Sequence, residues 1–227
     1  MIFYHTMWDL IFIFRANMPW YTDSIDHVLQ RTICITFILV SGFCSTLGSR
    51  RLRRGVTVLL ASFLVSAATL IFMPRAAVLF GVLTMLGSCM IIMVPLEKLL
   101  RRVNPFVGFA LFLLLFILTE YMPFGWIGVG NMKLNLPRAL FANYLTAYIG
   151  FPPASFSSTD YYPIFPWIFL FICGYFLYRI FEELDILRFL RAPRIKPLEF
   201  IGRHTLIIYM AHQPIIYAAL YVIFKMI

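Results

Sequence analysis

Residues 56–73 read VTVLLASFLVSAATLIFM, eighteen consecutive residues without a charged side chain. Four arginines stand just before this stretch, namely Arg50, Arg51, Arg53 and Arg54. The hydrocarbon core of a bilayer is about 30 Å thick, and roughly 20 apolar residues of helix cross it. The stretch therefore predicts a transmembrane helix with a basic flank.

Other apolar stretches of similar character follow along the whole chain. With the first stretch they occupy residues 1–14, 32–48, 56–73, 77–96, 105–122, 164–181 and 205–227. They predict an all-α, polytopic transmembrane bundle of about seven spans. The stretch at residues 1–14 would cover only about 21 Å at the helical rise of about 1.5 Å per residue. We therefore expect its helix to start upstream of Met1.

The composition supports this fold class and excludes others. Hydrophobic residues make up 62% of the 227 residues and charged residues 13%, whereas soluble domains are about half apolar and a quarter charged. An ordinary cytosolic domain is therefore excluded, as is a disordered or nucleic-acid-binding chain. Because no repeat of fixed period is visible, we predict one domain over residues 1–227.

The basic residues predict the orientation. Cytoplasmic loops of membrane proteins carry an excess of Lys and Arg. Thirteen of these residues lie in the loops at 49–55, 97–104 and 179–204, against six in the alternate segments. The prediction is an integral membrane protein, surrounded by lipid, with its N-terminus inside and its C-terminus outside. The long connection at 123–163 would then be external, with a short interfacial or re-entrant helix over Leu136–Ile149 as a lid.

Ionisable residues inside a span are energetically expensive and often functional. His5 and Asp9 are four residues apart and so share one helical face. A carboxylate that accepts from one ring nitrogen leaves the other nitrogen free as a base, so the pair is a candidate general-base dyad. The alternative is a structural pair that joins helices.

The last stretch carries a second polar pair, His212 and Gln213, next to Pro214. The proline frees a backbone carbonyl one turn earlier, so a kink and a small cavity are expected there. The two side chains would either line that cavity, where one could stabilise an oxyanion, or satisfy the kink.

Three charged or titratable residues near the predicted membrane surfaces are further candidates. Asp160 would cap the sixth span or bind the hydroxyl or amine of an acceptor. Arg203 and His204 stand at the start of the last span, where a phosphate-bearing ligand would fit, although the excess of cytoplasmic positive charge also explains them. Four cysteines lie in apolar stretches without a CxxC pair, so no metal site and no disulfide framework is predicted.

Several blocks resemble one family. Residues 158–167 (STDYYPIFPW) and 200–214 (FIGRHTLIIYMAHQP) are similar to the two signature blocks of the heparan-α-glucosaminide N-acetyltransferase-like family of bacterial membrane proteins. MIFYHTMWDL at residues 1–10 resembles its first helix, which usually continues upstream through an Arg-Gly motif. FGVLTML at residues 80–86 resembles a block that often has His where this chain has Thr84.

The resemblance implies a transmembrane acyltransferase of a bacterial cytoplasmic membrane. The acyl donor would be cytoplasmic acetyl-CoA and the acceptor an amino sugar or a cell-envelope glycan at the outer side. His5 corresponds to the base, with Asp9 orienting it. Asp160, His212 and Gln213 would serve the substrate, and Arg203 and His204 the CoA phosphates.

Two other functions stay open from the sequence. A transporter or channel for a small solute also needs a few buried polar groups and a broken helix. A structural membrane subunit would use the same groups to hold helices together.

Overall fold

The structure, a computed structural model, describes residues 1–48, 50–190 and 195–226. The helices in these ranges are α1 (Ile2–Trp8), α2 (Asp23–Cys44), α3 (Arg51–Phe72), α4 (Val82–Leu100), α5 (Pro105–Thr119), α6 (Tyr144–Ile149), α7 (Ile164–Glu183), α8 (Leu187–Leu190), α9 (Lys196–Arg203) and α10 (Thr205–Met226). Two short strands, β1 (Trp126–Val129) and β2 (Met132–Asn135), form an antiparallel hairpin. The predicted all-α membrane fold is confirmed, with this small sheet added.

Six helices of the described chain are long and apolar enough to cross a membrane: α2, α3, α4, α5, α7 and α10. The first predicted span is a shorter apolar helix, Ile2–Ile13. One predicted boundary is wrong by nine residues, because α2 begins at Asp23 and not at residue 32. Its first turns carry Asp23, Asp26 and His27, which hydropathy assigns to a loop, although acidic residues are favourable at a helix start.

The chain divides into two compact units, Met1–Phe37 with Phe189–Ile227, and Ile38–Arg188. The predicted single domain stays a prediction. Of the thirteen basic residues used for the orientation, Arg191 and Arg194 lie outside the described residues. The orientation also stays a prediction.

In the unit Ile38–Arg188, α3 packs on α4, and α7 packs on both α4 and α5. The inner faces of α4 and α7 supply fully buried side chains such as Met85, Cys89, Phe171 and Phe176. Both helices bury about half of their span. Apolar side chains on the outer faces of α3 and α5 stay exposed, as expected where lipid is the solvent.

Small residues bring helix backbones close together in this unit. A Cβ on Gly87 would lie 3.1 Å from the carbonyl oxygen of Gly55, and one on Gly55 would lie 3.1 Å from that of Gly87. At the contact of α2 and α7, a Cβ on Gly174 would overlap the carbonyl oxygen of Leu39. Glycine at these positions permits the close helix packing that replaces the hydrophobic effect inside a membrane.

Polar groups hold the ends of the helices. The Arg179 guanidinium donates to the carbonyl oxygens of Leu100 and Val103, at 3.1 and 2.9 Å. These acceptors lie at and just after the end of α4, where the last carbonyls lack helical partners. An arginine of the predicted basic loop is thus used as a C-terminal cap.

The long connection after α5 differs in part from the prediction. The predicted Leu136–Ile149 helix is helical only at a single 3₁₀ turn, Arg138–Leu140, and at α6 (Tyr144–Ile149). A capping box between Asn143 and Thr146 starts α6. Leu136 instead donates its N–H to the carbonyl oxygen of Gly125 at 2.8 Å and closes the hairpin. The φ of Pro137 suits the first turn of a helix, but Pro137 has no N–H and cannot donate a further backbone hydrogen bond of the hairpin.

In the unit of Met1–Phe37 and Phe189–Ile227, α1 packs against α10. After α1 the backbone changes to a π-helical turn over Asp9–Ile13, and the N–H of Phe14 donates to the carbonyl oxygen of Asp9 at 3.0 Å. Such turns add one residue to a helix and are frequent at functional sites.

Candidate active site

The structure brings four of the predicted residues together where α1 meets α10. His5 and Asp9 come from the N-terminal segment, and His212 and Gln213 from the middle of α10. The imidazole rings of His5 and His212 have centroids 4.9 Å apart. Gln213 Nε2 donates to Asp9 Oδ1 at 2.9 Å. We call these four residues the His–Asp–Gln cluster.

The hydrogen bond of His212 defines which ring nitrogen carries a proton. Its Nδ1 lies 2.5 Å from the carbonyl oxygen of Tyr209, one turn earlier in α10. A carbonyl can only accept, so Nδ1 is the donor, and in the neutral ring Nε2 then carries the lone pair. The Nε2 atom is buried and has no hydrogen-bond partner among the described residues. His212 therefore presents a free lone pair inside the protein.

Two further acceptors of the cluster are buried and unpaired within the described chain. They are Asp9 Oδ2 and Gln213 Oε1. Asp9 is fully buried, and its other carboxylate oxygen, Oδ1, accepts the hydrogen bond from the Gln213 amide. Burying an acceptor without a donor costs about 1–3 kcal/mol, so natural structures seldom keep several at one place without a reason. The cluster offers three acceptors to a group that carries N–H or O–H donors.

The predicted His5–Asp9 dyad has a different geometry. The Asp9 carboxylate takes its hydrogen bond from Gln213 on α10, and the His5 ring lies against His212 and, at a centroid distance of 5.2 Å, Tyr4. The i, i+4 spacing put the two side chains on one face, as expected. Each of the two side chains contacts α10, Asp9 through Gln213 and His5 through His212.

Arg203 and His204 lie at the junction of α9 and α10. The Arg203 guanidinium is 71% exposed and pairs with Glu199 one turn earlier, at 2.5 Å. His204 Nδ1 makes a hydrogen bond of 2.8 Å with the carbonyl oxygen of Phe200, and its ring lies over the Phe200 ring. An exposed arginine with one carboxylate partner keeps donors for a second anion.

Asp160 belongs to the other compact unit and caps a different helix from the predicted one. Its Oδ2 accepts the N–H of Val82 at 3.2 Å. Val82 is the first residue of α4, whereas the prediction concerned the start of α7. A Cβ on Gly81 would lie 2.7 Å from this oxygen, so the glycine leaves room for the carboxylate. Burial raises the pKa of Asp160 to about 6, opposed by the Val82 hydrogen bond.

The rest of the STDYYPIFPW block ties the α3–α4 connection in place. Ser158 Oγ accepts the N–H of Leu79 at 2.9 Å. The N–H groups of Thr159 and Tyr162 donate to the carbonyl oxygens of Ala77 and Phe80, at 3.2 and 2.9 Å. These contacts account structurally for several residues of the block without a ligand.

Sequence reasoning does not identify two residues with defined roles, Tyr209 at the cluster and Glu97 in the other compact unit. Tyr209 fixes the tautomer of His212 through its carbonyl, and the i, i+3 spacing in YMAH was the available signal. Glu97 is buried near the end of α4, where it pairs with Arg51 and, at 2.9 Å, with Arg101. It was assigned to a loop because α4 extends four residues beyond the apolar stretch.

Nowhere in residues 1–48, 50–190 and 195–226 do three His, Cys, Asp or Glu side chains form a group able to hold a metal ion. Cys34, Cys89 and Cys173 are buried in their helices. The side chains of the cluster are imidazole, carboxylate and amide groups.

Comparison with known proteins gives one match. A family model described as "Heparan-alpha-glucosaminide N-acetyltransferase, catalytic" matches residues 1–214. The matched range includes all four residues of the His–Asp–Gln cluster. Searches of curated proteins and of solved structures gave no match.

Proposed function

Because the chain belongs to the heparan-α-glucosaminide N-acetyltransferase catalytic family, we propose that it transfers an acetyl group from cytoplasmic acetyl-CoA to an amine or hydroxyl acceptor outside. The acceptor class we propose is an amino sugar or a cell-envelope glycan, and the membrane is a bacterial cytoplasmic membrane. The observation that supports the proposal is the His–Asp–Gln cluster, in which the buried Nε2 of His212 has no hydrogen-bond partner in the described part of the chain.

The chemistry of acyl transfer fits the acceptors of the cluster. An acceptor amine or hydroxyl must lose a proton as it attacks the thioester carbonyl, and a positioned imidazole can take that proton. The new bond joins the acceptor atom to the acetyl carbon, the carbon–sulfur bond breaks, and the CoA thiolate leaves and takes up a proton. Asp9 and Gln213 offer acceptors for the other donor groups of the incoming molecule.

The two histidines divide the role of the base in this proposal. The family resemblance favours His5, and the tautomer of His212 favours His212, whose Nε2 lone pair has no donor among the described residues. Their ring centroids are 4.9 Å apart, so one acceptor group can reach both. The proposal is that one imidazole removes the proton and its neighbour holds the acceptor or the oxyanion.

Single substitutions of each histidine test this role. In nanodiscs, CoA release from acetyl-CoA with glucosamine as the trial acceptor should fall at least about a hundredfold in His5→Ala and His212→Ala, the usual range for a lost general base. His27→Ala is the matched control, because His27 is exposed in α2, and should retain wild-type turnover. Wild-type turnover in both cluster variants would refute the proposed site.

Donor binding is tested without any choice of acceptor. We propose that Arg203 and His204 hold the CoA phosphates, since the Arg203 guanidinium is exposed and has donors beyond its Glu199 pair. Arg203→Ala should weaken acetyl-CoA binding by roughly tenfold, measured by calorimetry. Arg188→Ala is the control, because Arg188 is similarly exposed and similarly paired, with Asp185. No acetyl-CoA binding by the wild-type protein would favour the solute-transporter alternative.

A further inference from the structure

The hairpin of β1 and β2 has one face made only of apolar side chains. Its register pairs Ile127 with Leu134 and Val129 with Met132, and side chains of alternate residues share a face. Val129, Met132 and Leu134 are 52, 85 and 65% exposed. We call Ile127, Val129, Met132 and Leu134 the apolar hairpin face. A face of this composition is seldom left in water.

The opposite hairpin face is polar and aromatic. It carries Trp126, Lys133 and Asn135, with Gly128 between them. The Lys133 ammonium lies 4.5 Å from the centre of the Trp126 ring, a cation–π contact. The hairpin therefore has the usual two-sided pattern, and three of the four side chains on its apolar face are exposed.

The hairpin begins where a membrane-spanning helix ends. α5 ends at Thr119, a 3₁₀ turn follows at Met122–Phe124, and β1 starts at Trp126 and packs against α5. The Tyr121 and Trp126 rings stack with centroids 4.3 Å apart. Trp and Tyr concentrate at membrane–water interfaces. The aromatic residues at the end of α5 are therefore those typical of a membrane–water interface.

The chain segment that contains the hairpin is basic between Glu120 and Asp160. Residues 121–159 contain Lys133 and Arg138 and no Asp or Glu, and both cations are exposed. Basic side chains near a bilayer surface are attracted to anionic headgroups. Charge complementarity therefore identifies the occupant of this surface as anionic lipid.

We propose that the apolar hairpin face inserts into the lipid leaflet at the end of α5, with Lys133 and Arg138 binding anionic headgroups. The hairpin is then a lipid-binding element that continues the membrane surface of α5 into the long connection. Apolar side chains enter the boundary between headgroups and acyl chains, as those of interfacial helices do. The proposal is independent of the acyl-transfer reaction.

Spin labels on the two hairpin faces test the insertion. Met132→Cys carries a label on the apolar face, and Asn135→Cys is the matched control on the same strand and the opposite face. Cys44, the half-buried native cysteine, is replaced by Ser in both variants. In nanodiscs, collision with oxygen should exceed collision with a water-soluble nickel chelate at Met132→Cys, and the order should reverse at Asn135→Cys.

The lipid composition tests the headgroup contact. The Met132→Cys label should move deeper when phosphatidylglycerol is added to phosphatidylcholine, and Lys133→Gln with Arg138→Gln should abolish that movement. A label at Met132 that collides mainly with the nickel chelate would overturn the insertion. Dipolar broadening between labels would also overturn it, because a second copy of the chain would then cover the face. Equal depth in both lipids would overturn the anionic headgroup contact.

Discussion

Replacing Gln213 with Leu removes the amide donor that pairs with the buried carboxylate of Asp9. A hydrogen bond to a charged acceptor contributes about 1.5–3 kcal/mol. Both Asp9 oxygens would then be without a donor from the described chain, because Oδ2 already has none. We expect the free energy of unfolding to fall by about 1.5–3 kcal/mol, which is roughly a tenfold to hundredfold lower ratio of folded to unfolded protein.

Reversible unfolding in mixed micelles of mild detergent and dodecyl sulfate measures this free energy. Gln30→Leu is the control at the other glutamine of the chain. Within the described residues no side-chain hydrogen bond of Gln30 is seen, and the change in free energy should stay within about 0.5 kcal/mol. Asp9→Leu and the Asp9→Leu/Gln213→Leu double variant complete a double-mutant cycle. A coupling energy within about 0.5 kcal/mol of zero would refute the reasoning.

Two further changes in the unit Ile38–Arg188 and α9 have defined outcomes. Gly174→Ala places a methyl group against the Leu39 carbonyl and should destabilise the protein by about 1–3 kcal/mol. The control is Gly202→Ala, whose Cβ would have no described atom within 4 Å, and it should be neutral or stabilising by up to about 1 kcal/mol. Equal unfolding midpoints for the two variants would contradict this packing. Asp160 has its pKa raised by burial to about 6 from an ordinary value of 3.8, so the folded state holds the proton more tightly, and stability should decline from about pH 4 to about pH 6 and then level off. Asp160→Asn should remove that decline, and an unchanged pH profile of the unfolding midpoint would exclude Asp160 as its source.

The sequence predicts the membrane fold well because lipid imposes a length and a composition on each spanning helix. Helix ends are predicted less well. α2 starts at Asp23 because an acidic first turn is favourable, and α4 continues to Leu100 because Arg51 and Arg101 neutralise Glu97. Hydropathy penalises these charged turns, although each charge has a partner or a helix terminus that stabilises it.

The cluster was predictable in its members and not in its pairing. Helical spacing places His5 with Asp9, but it contains no information on which helix faces them. Tertiary packing places Asp9 in a hydrogen bond with Gln213, and it places the His5 ring against the His212 ring. Asp160 was expected either to cap the sixth span or to bind an acceptor, and its carboxylate instead accepts the N–H of Val82, 78 residues away in the chain.

The π-helical turn at Asp9–Ile13 makes the cluster depend on the count of residues in the first segment. Such a turn contains one residue more than the α-helical turn it replaces, and each helical residue corresponds to about 100° of rotation. Deleting Leu10 would allow an ordinary α-helix through this segment. Because the shortened segment would have the residue count of an α-helical turn, His5 would keep its direction relative to Phe14, whereas an α-helix through the full-length segment would rotate His5 by about 100°. Loss of the π-helical turn alone, with every side chain retained, would therefore turn His5 away from His212.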